Sequence, residues 1–236
     1  QGGHQILCTK ITLSSDTTNY NLANDLTNNY GWDGSSAIDV TLTINSSVNV
    51  FSTSTSTPAI TAHLVSGSTL IINNSGNIIA RGGAGGAGGT SGGAGSAGGA
   101  GGNAISLQNV TSTINNLSGA IIAGGGGGGG GDGSATGFSS HDTESGCQGS
   151  RTNNGGAGGS GASTDNPPTN SPGTRGGSWG NAWSSGSAGS LAHINGNCIT
   201  AQGSGGAGGA AGKAINVGSG VSNTLNNSGT THGATS

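Results

Sequence analysis

The side chains that could do chemistry are concentrated in two segments, residues 132–154 and 162–190. The first segment holds one aromatic ring, several ionisable groups and a thiol: Phe138, His141, Asp142, Glu144, Cys147 and Arg151. An imidazole and two carboxylates this close in sequence could bind a metal ion or act as acid and base. A solvated polar loop tip explains the same residues equally well, so no reaction is predicted here.

The second segment, residues 162–190, combines rigid, charged and aromatic residues: Asp165, Pro167, Pro168, Pro172, Arg175, Trp179 and Trp183. Tryptophan offers a large contact area at a low entropic cost and is enriched at binding hot spots. Trp179 and Trp183 are therefore candidate binding anchors, with the alternative that they cover an apolar surface as lids. Trp32 lies beside a turn-like Asp-Gly pair, and we expect it to be structural.

Other site classes find little support in the sequence. Patterns of the type GxGxxG arise by chance in so glycine-rich a chain, and none follows a strand and opens a helix. Ser and Thr are too common for a catalytic triad to be argued. Cys8, Cys147 and Cys198 form no CxxC pair, which argues against a zinc site. Cys147 and Cys198 could pair, or all three thiols could be free. We predict no cofactor and no metal, and an enzyme is the least favoured class.

Charge also excludes several partners. The formal net charge is −3, from five Lys and Arg against eight Asp and Glu. This is too weak for binding to nucleic acid or to an anionic membrane surface. No apolar run approaches the roughly 20 residues that span a bilayer, so no membrane insertion is predicted. Because the sequence opens with Gln1, we expect a processed product or an excised fragment.

Glycine accounts for 54 of the 236 residues, and where it concentrates the other residues recur every three positions. From position 82 the chain reads GGAGGAGGTSGGAGSAGGAGG. This period is neither that of an α-helix nor that of a strand, and it matches the polyproline II type of helix with three residues per turn. Such a helix has no internal hydrogen bonds, so its amides must pair with neighbouring chains or water. Two faces without Cβ atoms would allow close approach, while the Ala, Ser or Thr face would lie outside or between layers.

The composition leaves two outcomes for the glycine-rich part. With 29% hydrophobic, 3% aromatic and 6% charged residues, a conventional core cannot be built there. The alternatives are disorder or a lattice held by backbone hydrogen bonds, and the phased triplets favour the lattice. The glycine blocks lie at residues 82–102, 124–131, 155–161 and 203–212. A change of phase at Thr90 and Ser91 predicts that the first block folds back, and the uninterrupted block 124–131 is expected in the middle of the array.

The first 80 residues have a different pattern. Residues 38–44 alternate apolar and polar side chains, which is typical of a half-buried strand. Shorter strands are predicted at residues 11–13, 48–51, 69–72 and 78–79, with a turn at residues 73–76. Residues 22–26 could form at most one helical turn. The predicted fold class is mostly irregular and all-β, without a substantial α-helix. A small N-terminal β region (residues 1–80) precedes a glycine-rich domain (residues 81–236) of stacked polyglycine II helices laced by short strands.

A repeat connects these regions. Residues 69–80 read TLIINNSGNIIA, residues 113–123 read TINNLSGAIIA and residues 224–230 read TLNNSGT. A repeated unit that cannot bury its own face must stack on its neighbours. We therefore expect each short strand to cap or lace a layer of glycine helices.

Several stretches together resemble the glycine-rich distal tail-fibre proteins of tailed bacteriophages. They are ITLSSDTTNYNLAN at residues 11–24, AIDVTLTINSSVNVFSTSTSTPAI at 37–60, STLIINNSGNIIARGGAGGAGG at 68–89 and NNSGTTHGATS at 226–236. The resemblance to T-even-type receptor-recognition adhesins implies a sandwich of polyglycine II helices. It also implies that the variable segments, matched here by residues 132–154 and 162–190, form the tip that touches the host. No clear shaft-attachment domain is visible in the N-terminal sequence.

The resemblance makes a non-enzymatic tail-fibre tip adhesin the leading hypothesis, located at the virion tail-fibre tip. Its partners would be a bacterial outer-membrane protein or surface glycan, and the fibre shaft or identical subunits. The expected receptor-binding residues are aromatic anchors and polar specificity groups: Phe138, His141, Asp142, Arg151, Arg175, Trp179 and Trp183. Two alternatives stay open. One is a secreted protein that assembles into an extracellular polyglycine II filament, and the weaker one is an ice-binding protein.

Overall fold

The structure is a computed structural model that describes residues 7–128, 130–142, 146–153 and 199–236. Its one described helix is α1 (Leu22–Asn29). Its strands are β1 (Leu7–Leu13), β2 (Thr17–Thr18), β3 (Tyr20–Asn21), β4 (Ile38–Ile44), β5 (Asn49–Phe51), β6 (Ile60–Asn74), β7 (Asn77–Ile79), β8 (Ile105–Asn116), β9 (Ile121–Ala123), β10 (Ala135–Asp142), β11 (Gly146–Asn153), β12 (Ile199–Gln202), β13 (Ile215–Val217), β14 (Ser222–Asn227) and β15 (Thr230–His232). The predicted fold class, all-β without a substantial α-helix, is confirmed.

The chain divides into two compact units. The β unit comprises residues 1–81, 102–124 and 213–236, and the glycine unit comprises residues 82–101 and 125–212. The chain first passes from the β unit to the glycine unit after residue 81, next to the domain boundary predicted after residue 80. Residues 102–124 and 213–236 lie in the β unit. The strands of residues 102–124 pair with N-terminal strands, β8 with β6 and β9 with β7, and the strands of residues 213–236 pair in turn with β8 and β9.

The β unit consists of two parallel sheets. The first has the order β1-β4-β6-β8-β13, with β14 also on β8, and the second has the order β15-β9-β7-β5-β2. The chain therefore passes five times through the same path, from a strand of the first sheet to a strand of the second. We call each pass a rung. Rungs one to five are β1 with β2, β4 with β5, β6 with β7, β8 with β9, and β14 with β15.

Alternation of side chains builds the core between the sheets. In β4 every second residue is buried, from Ile38 to Ile44. The neighbouring strands are in register, so Leu42 lies beside Ile72 and Ile72 beside Ile114, all with no solvent exposure. Uncharged, β-branched strands buried against each other in this way are typical of stacked parallel sheets.

The sequence repeat forms two ladders of asparagine side chains. Asn74, Asn116 and Asn227 lie in register in rungs three to five. The Nδ2 of Asn74 donates to Oδ1 of Asn116 at 2.8 Å, and the Nδ2 of Asn116 donates to Oδ1 of Asn227 at 2.8 Å. A second ladder, from Asn226 through Asn115 to Asn73, runs on the outer face with the same spacing. Buried amides are stable here because each one finds a partner in the next rung.

A third ladder ends on a carboxylate. Asn77 donates to Asn49 at 2.9 Å, and Asn49 donates through its side chain and backbone N–H to Asp16. A carboxylate only accepts hydrogen bonds, so it can terminate a chain of amide donors at rung one.

Helix α1 is longer than the single turn predicted. Asn21 caps its first turn by accepting a hydrogen bond from the backbone N–H of Asn24 at 3.1 Å. Leu22 and Leu26 are fully buried on one face, and they fix the helix to the sheet although its intrinsic propensity is low.

The aromatic residues beside α1 are structural. Trp32 is only 6% exposed and donates its Nε1–H to the carbonyl of Ser36 at 2.8 Å, which confirms the structural role expected for it. The Tyr20 hydroxyl donates to Asp25, and burial followed by this bond raises the pKa of Tyr20 well above its usual range. The Ser36 hydroxyl and nearby backbone N–H groups hold the pKa of Asp33 well below its usual range.

The glycine unit contains four extended segments that we name A (residues 82–89), B (93–101), C (125–134) and D (203–212). Their backbone hydrogen bonds recur every three residues. Gly206 and Gly209 of segment D donate to Gly131 and Gly128 of segment C, each at 2.8 Å. The same spacing links B to A, C to B, and B to D. The predicted lattice of backbone hydrogen bonds with a three-residue period is therefore present in the described part of this unit.

Burial follows the same period. In segment D, Gly203, Gly206 and Gly209 are buried, whereas Ser204 and Ala207 are exposed. The residues with a Cβ atom thus lie on the outside, as their phase predicted. A Cβ atom added at Gly206 would lie 1.9 Å from the carbonyl oxygen of Ser96, so only glycine fits there.

Two further predictions for the glycine blocks are confirmed. The chain reverses at Ser91 and Gly92, which both have positive φ, and Gly93 donates to the carbonyl of Thr90 at 2.8 Å. Segment C bonds to A, B and D, so the uninterrupted glycines lie in the middle of the array. The block at residues 155–161 lies outside the described residues. No helix in the described part of the chain is long and apolar enough to cross a membrane.

Candidate receptor-binding site

The base of the site is a junction between two glycine segments. Ser134, at the end of segment C, is fully buried, and its carbonyl accepts from the backbone N–H of Gly203 at 2.8 Å. Its own backbone N–H donates to the carbonyl of Gly93 at 3.0 Å. Strand β10 begins at Ala135 and strand β12 ends at Gln202, next to these two residues. Strand β10 therefore leaves the lattice, and strand β12 rejoins it, at one hydrogen-bonded pair of residues.

A three-stranded antiparallel sheet rises from this junction, in the order β11-β10-β12. Ala135 pairs with Asn153 on one side and with Gln202 on the other. The register between β10 and β12 shifts after Thr136, which marks a β-bulge. Residues 132–154, which the sequence suggested were a loop, thus form mainly a β-hairpin. Glycine residues in both strands lower the intrinsic preference for a strand, which is why the sequence did not predict one. Antiparallel pairing with the neighbouring strands stabilises them in the structure.

The hairpin places four of the seven predicted site residues on two adjacent strands. Phe138 lies opposite Ser150, and Arg151 lies opposite Gly137. His141 and Asp142 form the last two pairs before residues 143–145, at the end of the hairpin farthest along the strands from the lattice. An aromatic ring, an imidazole, a carboxylate and a guanidinium group are therefore distributed along one short element.

The other three predicted residues, Arg175, Trp179 and Trp183, lie outside the described residues, as does Glu144. One residue that the prediction left out is Cys147, which lies opposite His141. Only the pairing register reveals this neighbour, because five residues separate the two in the sequence. Cys8 of the β unit is an exposed free thiol, and Cys198 lies outside the described residues.

The described residues contain no group of three His, Cys, Asp or Glu side chains that could hold a metal ion. The two paired strands of the hairpin contain aromatic, cationic, anionic and neutral polar residues. Such a mixture is typical of recognition surfaces, where aromatic and Arg residues give affinity and polar groups give specificity.

A protein-family model and a solved structure are similar to the chain. The family model described as phage tail fibre adhesin Gp38 matches residues 8–236. A solved structure, the gp37-gp38 adhesin tip complex of the bacteriophage S16 long tail fibre, is similar over 96% of this chain and 82% of that chain, with 22% identity and a TM-score of 0.48. No curated protein is similar enough to the chain to count as a relative. Because the family model spans nearly the whole sequence, the chain belongs to the Gp38 family of phage tail fibre adhesins, which confirms the predicted adhesin function and the location on the tail fibre.

Proposed function

We propose that the chain is a non-enzymatic adhesin at the tip of the fibre, and that residues 132–154 and 162–190 bind a receptor on the bacterial surface. The observation that carries this proposal is the junction at Ser134 and Gly203. At this junction the two residues that flank the segment 135–202 are hydrogen-bonded to each other, and Ser134 is also bonded to Gly93. The segment between them includes every residue named as a candidate for receptor binding.

The mechanism is rigid presentation. Ordering a flexible loop on binding costs roughly 0.5–1.5 kcal/mol for each immobilised side chain, so a base that is already ordered preserves affinity. The hairpin β10–β11 is such a pre-ordered element, because β10 is paired on both sides. Phe138, Trp179 and Trp183 would serve as anchors, while His141, Asp142, Arg151 and Arg175 would select the receptor.

The receptor class that fits is an outer-membrane protein or a surface glycan. Aromatic side chains can stack on sugar rings or fill apolar pockets in a protein, and Arg can bind carboxylates in both. At its other end the adhesin would be carried by the fibre shaft or by identical subunits.

The test is adsorption of the purified chain to cells of a susceptible host. Replacing Trp179 and Trp183 with Ala should abolish adsorption while the unfolding transition stays unchanged. Phe138→Ala should weaken it in the same way. If the double variant unfolds instead, the two tryptophans are lids of the fold and not anchors. A variant that folds and still adsorbs fully would contradict the proposal.

A further inference from the structure

The β unit ends at an incomplete rung. In rungs three and four the inward positions of the repeat are fully buried. Ile72 and Asn74 of rung three and Ile114 and Asn116 of rung four have no solvent exposure. The matching residues of rung five are Leu225, which is only partly buried, and Asn227, which is exposed. The difference arises because β14 pairs with β8 on one side, and no described strand pairs with its other side.

Rung five also leaves hydrogen-bonding capacity unused. Both asparagine ladders reach β14 and end there. In the described part of the chain, Oδ1 of Asn226 accepts no hydrogen bond and Nδ2 of Asn227 donates none, although Asn226 donates to Asn115 and Asn227 accepts from Asn116. A further strand with an Asn-Asn pair in the same register would continue both ladders.

A short segment of the chain already lies beside β13, at the position that a sixth rung would take. Residues 234–236 run parallel to β13, with Thr235 opposite Ile215. The backbone N–H of Ser236 donates to the carbonyl of Ile215 at 3.1 Å, and that of Val217 donates to the carbonyl of Ser236 at 3.2 Å. A strand beside β14 would extend the same sheet without any change in its geometry.

The edge also lacks the usual protection against strand addition. Exposed edges are normally blunted by Lys, Pro, bulges or covering loops. Strand β14 reads SNTLNN, without charge or proline, and forms a regular six-residue ladder with β8. Main-chain pairing of an extended peptide with such an edge is a common mode of recognition.

We propose that the free edge of β14 binds an extended, uncharged segment of a different polypeptide, which adds as a parallel strand. The segment would carry an aliphatic residue in line with Leu225, followed by two amide or hydroxyl residues in line with Asn226 and Asn227. This surface belongs to the β unit and is independent of the proposed receptor-binding segments.

A second copy of this chain fits the edge less well. Strands β6 and β8, which carry the Asn-Asn pattern, are already paired on both sides. The edge strand β1 has Leu13 at the ladder position of Asn227, so it offers no amide there. Two β14 strands related by a two-fold axis would run antiparallel, and the parallel ladders would not continue.

The probe is a labelled peptide with the sequence of residues 111–119, TSTINNLSG, which is the strand that already pairs with the other side of β14. Its binding to the intact chain is measured by fluorescence anisotropy, with a scrambled peptide as the reference. We expect saturable binding that Leu225→Lys weakens at least about tenfold, because the change removes an aliphatic contact and places a charge on the edge. Leu117→Lys, at a residue that is 43% exposed on a turn, is the matched control and should have no effect.

Asn226→Lys is the second variant. This residue is exposed, so folding should be retained while the added charge blocks the edge. Equal binding of the peptide by Leu225→Lys, Asn226→Lys and the unmodified chain would overturn the proposal, as would the absence of saturable binding. Self-association of the unmodified chain that both variants abolish would show that the occupant is a second copy, which also overturns it. Adsorption to host cells should be unchanged in both variants.

Discussion

At the scale of single residues, the asparagine ladders make polar side chains part of the core. Asn116 is fully buried, accepts from Asn74, and donates to Asn227 and to the carbonyl of Thr230. Asn116→Asp would remove both donors and place a carboxylate beside two acceptor oxygens. We expect a loss of about 3 kcal/mol or more in the free energy of unfolding, measured with urea.

The control for this change is Asn226→Asp. Asn226 makes one hydrogen bond on the exposed outer face, so its replacement should cost less than about 1 kcal/mol. Equal losses in the two variants would show that the buried ladder has no special role in stability.

Thr231 is a residue at which the repeat is imperfect. It lies in register with Ile122 and Ile78 of rungs four and three, and its Oγ1 is buried without a hydrogen-bond partner in the described structure. Removing an unsatisfied hydroxyl while keeping its shape should stabilise the fold. Thr231→Val is therefore expected to raise the free energy of unfolding by about 1 kcal/mol, and a decrease would contradict the burial of an unpaired hydroxyl.

Tyr20 gives the β unit a dependence on alkaline pH. Burial and the bond to Asp25 raise the pKa of Tyr20, so the folded state favours the protonated phenol. The resulting stabilisation is complete below the ordinary tyrosine pKa of about 10 and is lost as the pH rises above it. Urea unfolding between about pH 9 and about pH 11, a range that spans this pKa, should show a steeper decline in the free energy of unfolding for the unmodified chain than for Tyr20→Phe. Parallel declines would contradict this role.

At the scale of elements, the spacing of glycine residues is the strongest constraint. A Cβ atom at Gly206 would lie 1.9 Å from the carbonyl oxygen of Ser96, whereas one at Gly99 would have its nearest neighbour at 3.2 Å. Gly206→Ala should therefore cost about 3 kcal/mol or prevent the lattice from forming, while Gly99→Ala should cost far less. Hydrogen exchange of the glycine amides measures this difference, and equal protection in both variants would contradict the lattice.

The sequence predicts these elements where a simple period is present. The triplet period gave the lattice and its outward Ala and Ser positions, and the alternation in residues 38–44 gave β4. What the sequence could not reveal is which strands pair. The three copies of the Asn-Asn repeat stack on one another in register, because their Asn and aliphatic positions match across rungs.

The candidate site was predictable in position but not in form. A change in amino-acid composition between glycine blocks pointed to residues 132–154 as a candidate site, since loops on rigid scaffolds commonly carry function. In the structure these residues form a hairpin whose strand β10 also pairs with the distant strand β12, and no local pattern in the sequence predicts that pairing.

At the scale of the whole molecule, we propose that one part of the chain forms the scaffold and another part binds the receptor. The backbone lattice and the stacked rungs provide a scaffold whose composition has little charge and little aromatic surface. The segment from 135 to 202 holds five of the 13 charged residues, three of the seven aromatic residues and all seven residues proposed to bind the receptor, and it is flanked by the hydrogen-bonded pair Ser134 and Gly203. Receptor choice should therefore be transferable with this segment.

The most direct test exchanges residues 135–202 with the corresponding segment of a Gp38-family adhesin from a phage with a different host. Adsorption of the purified chimeras is measured on cells of both hosts, with the two parent proteins as references. The account predicts that each chimera adsorbs to the host of the phage that supplied the segment. Chimeras that keep the host preference of their scaffold would contradict it.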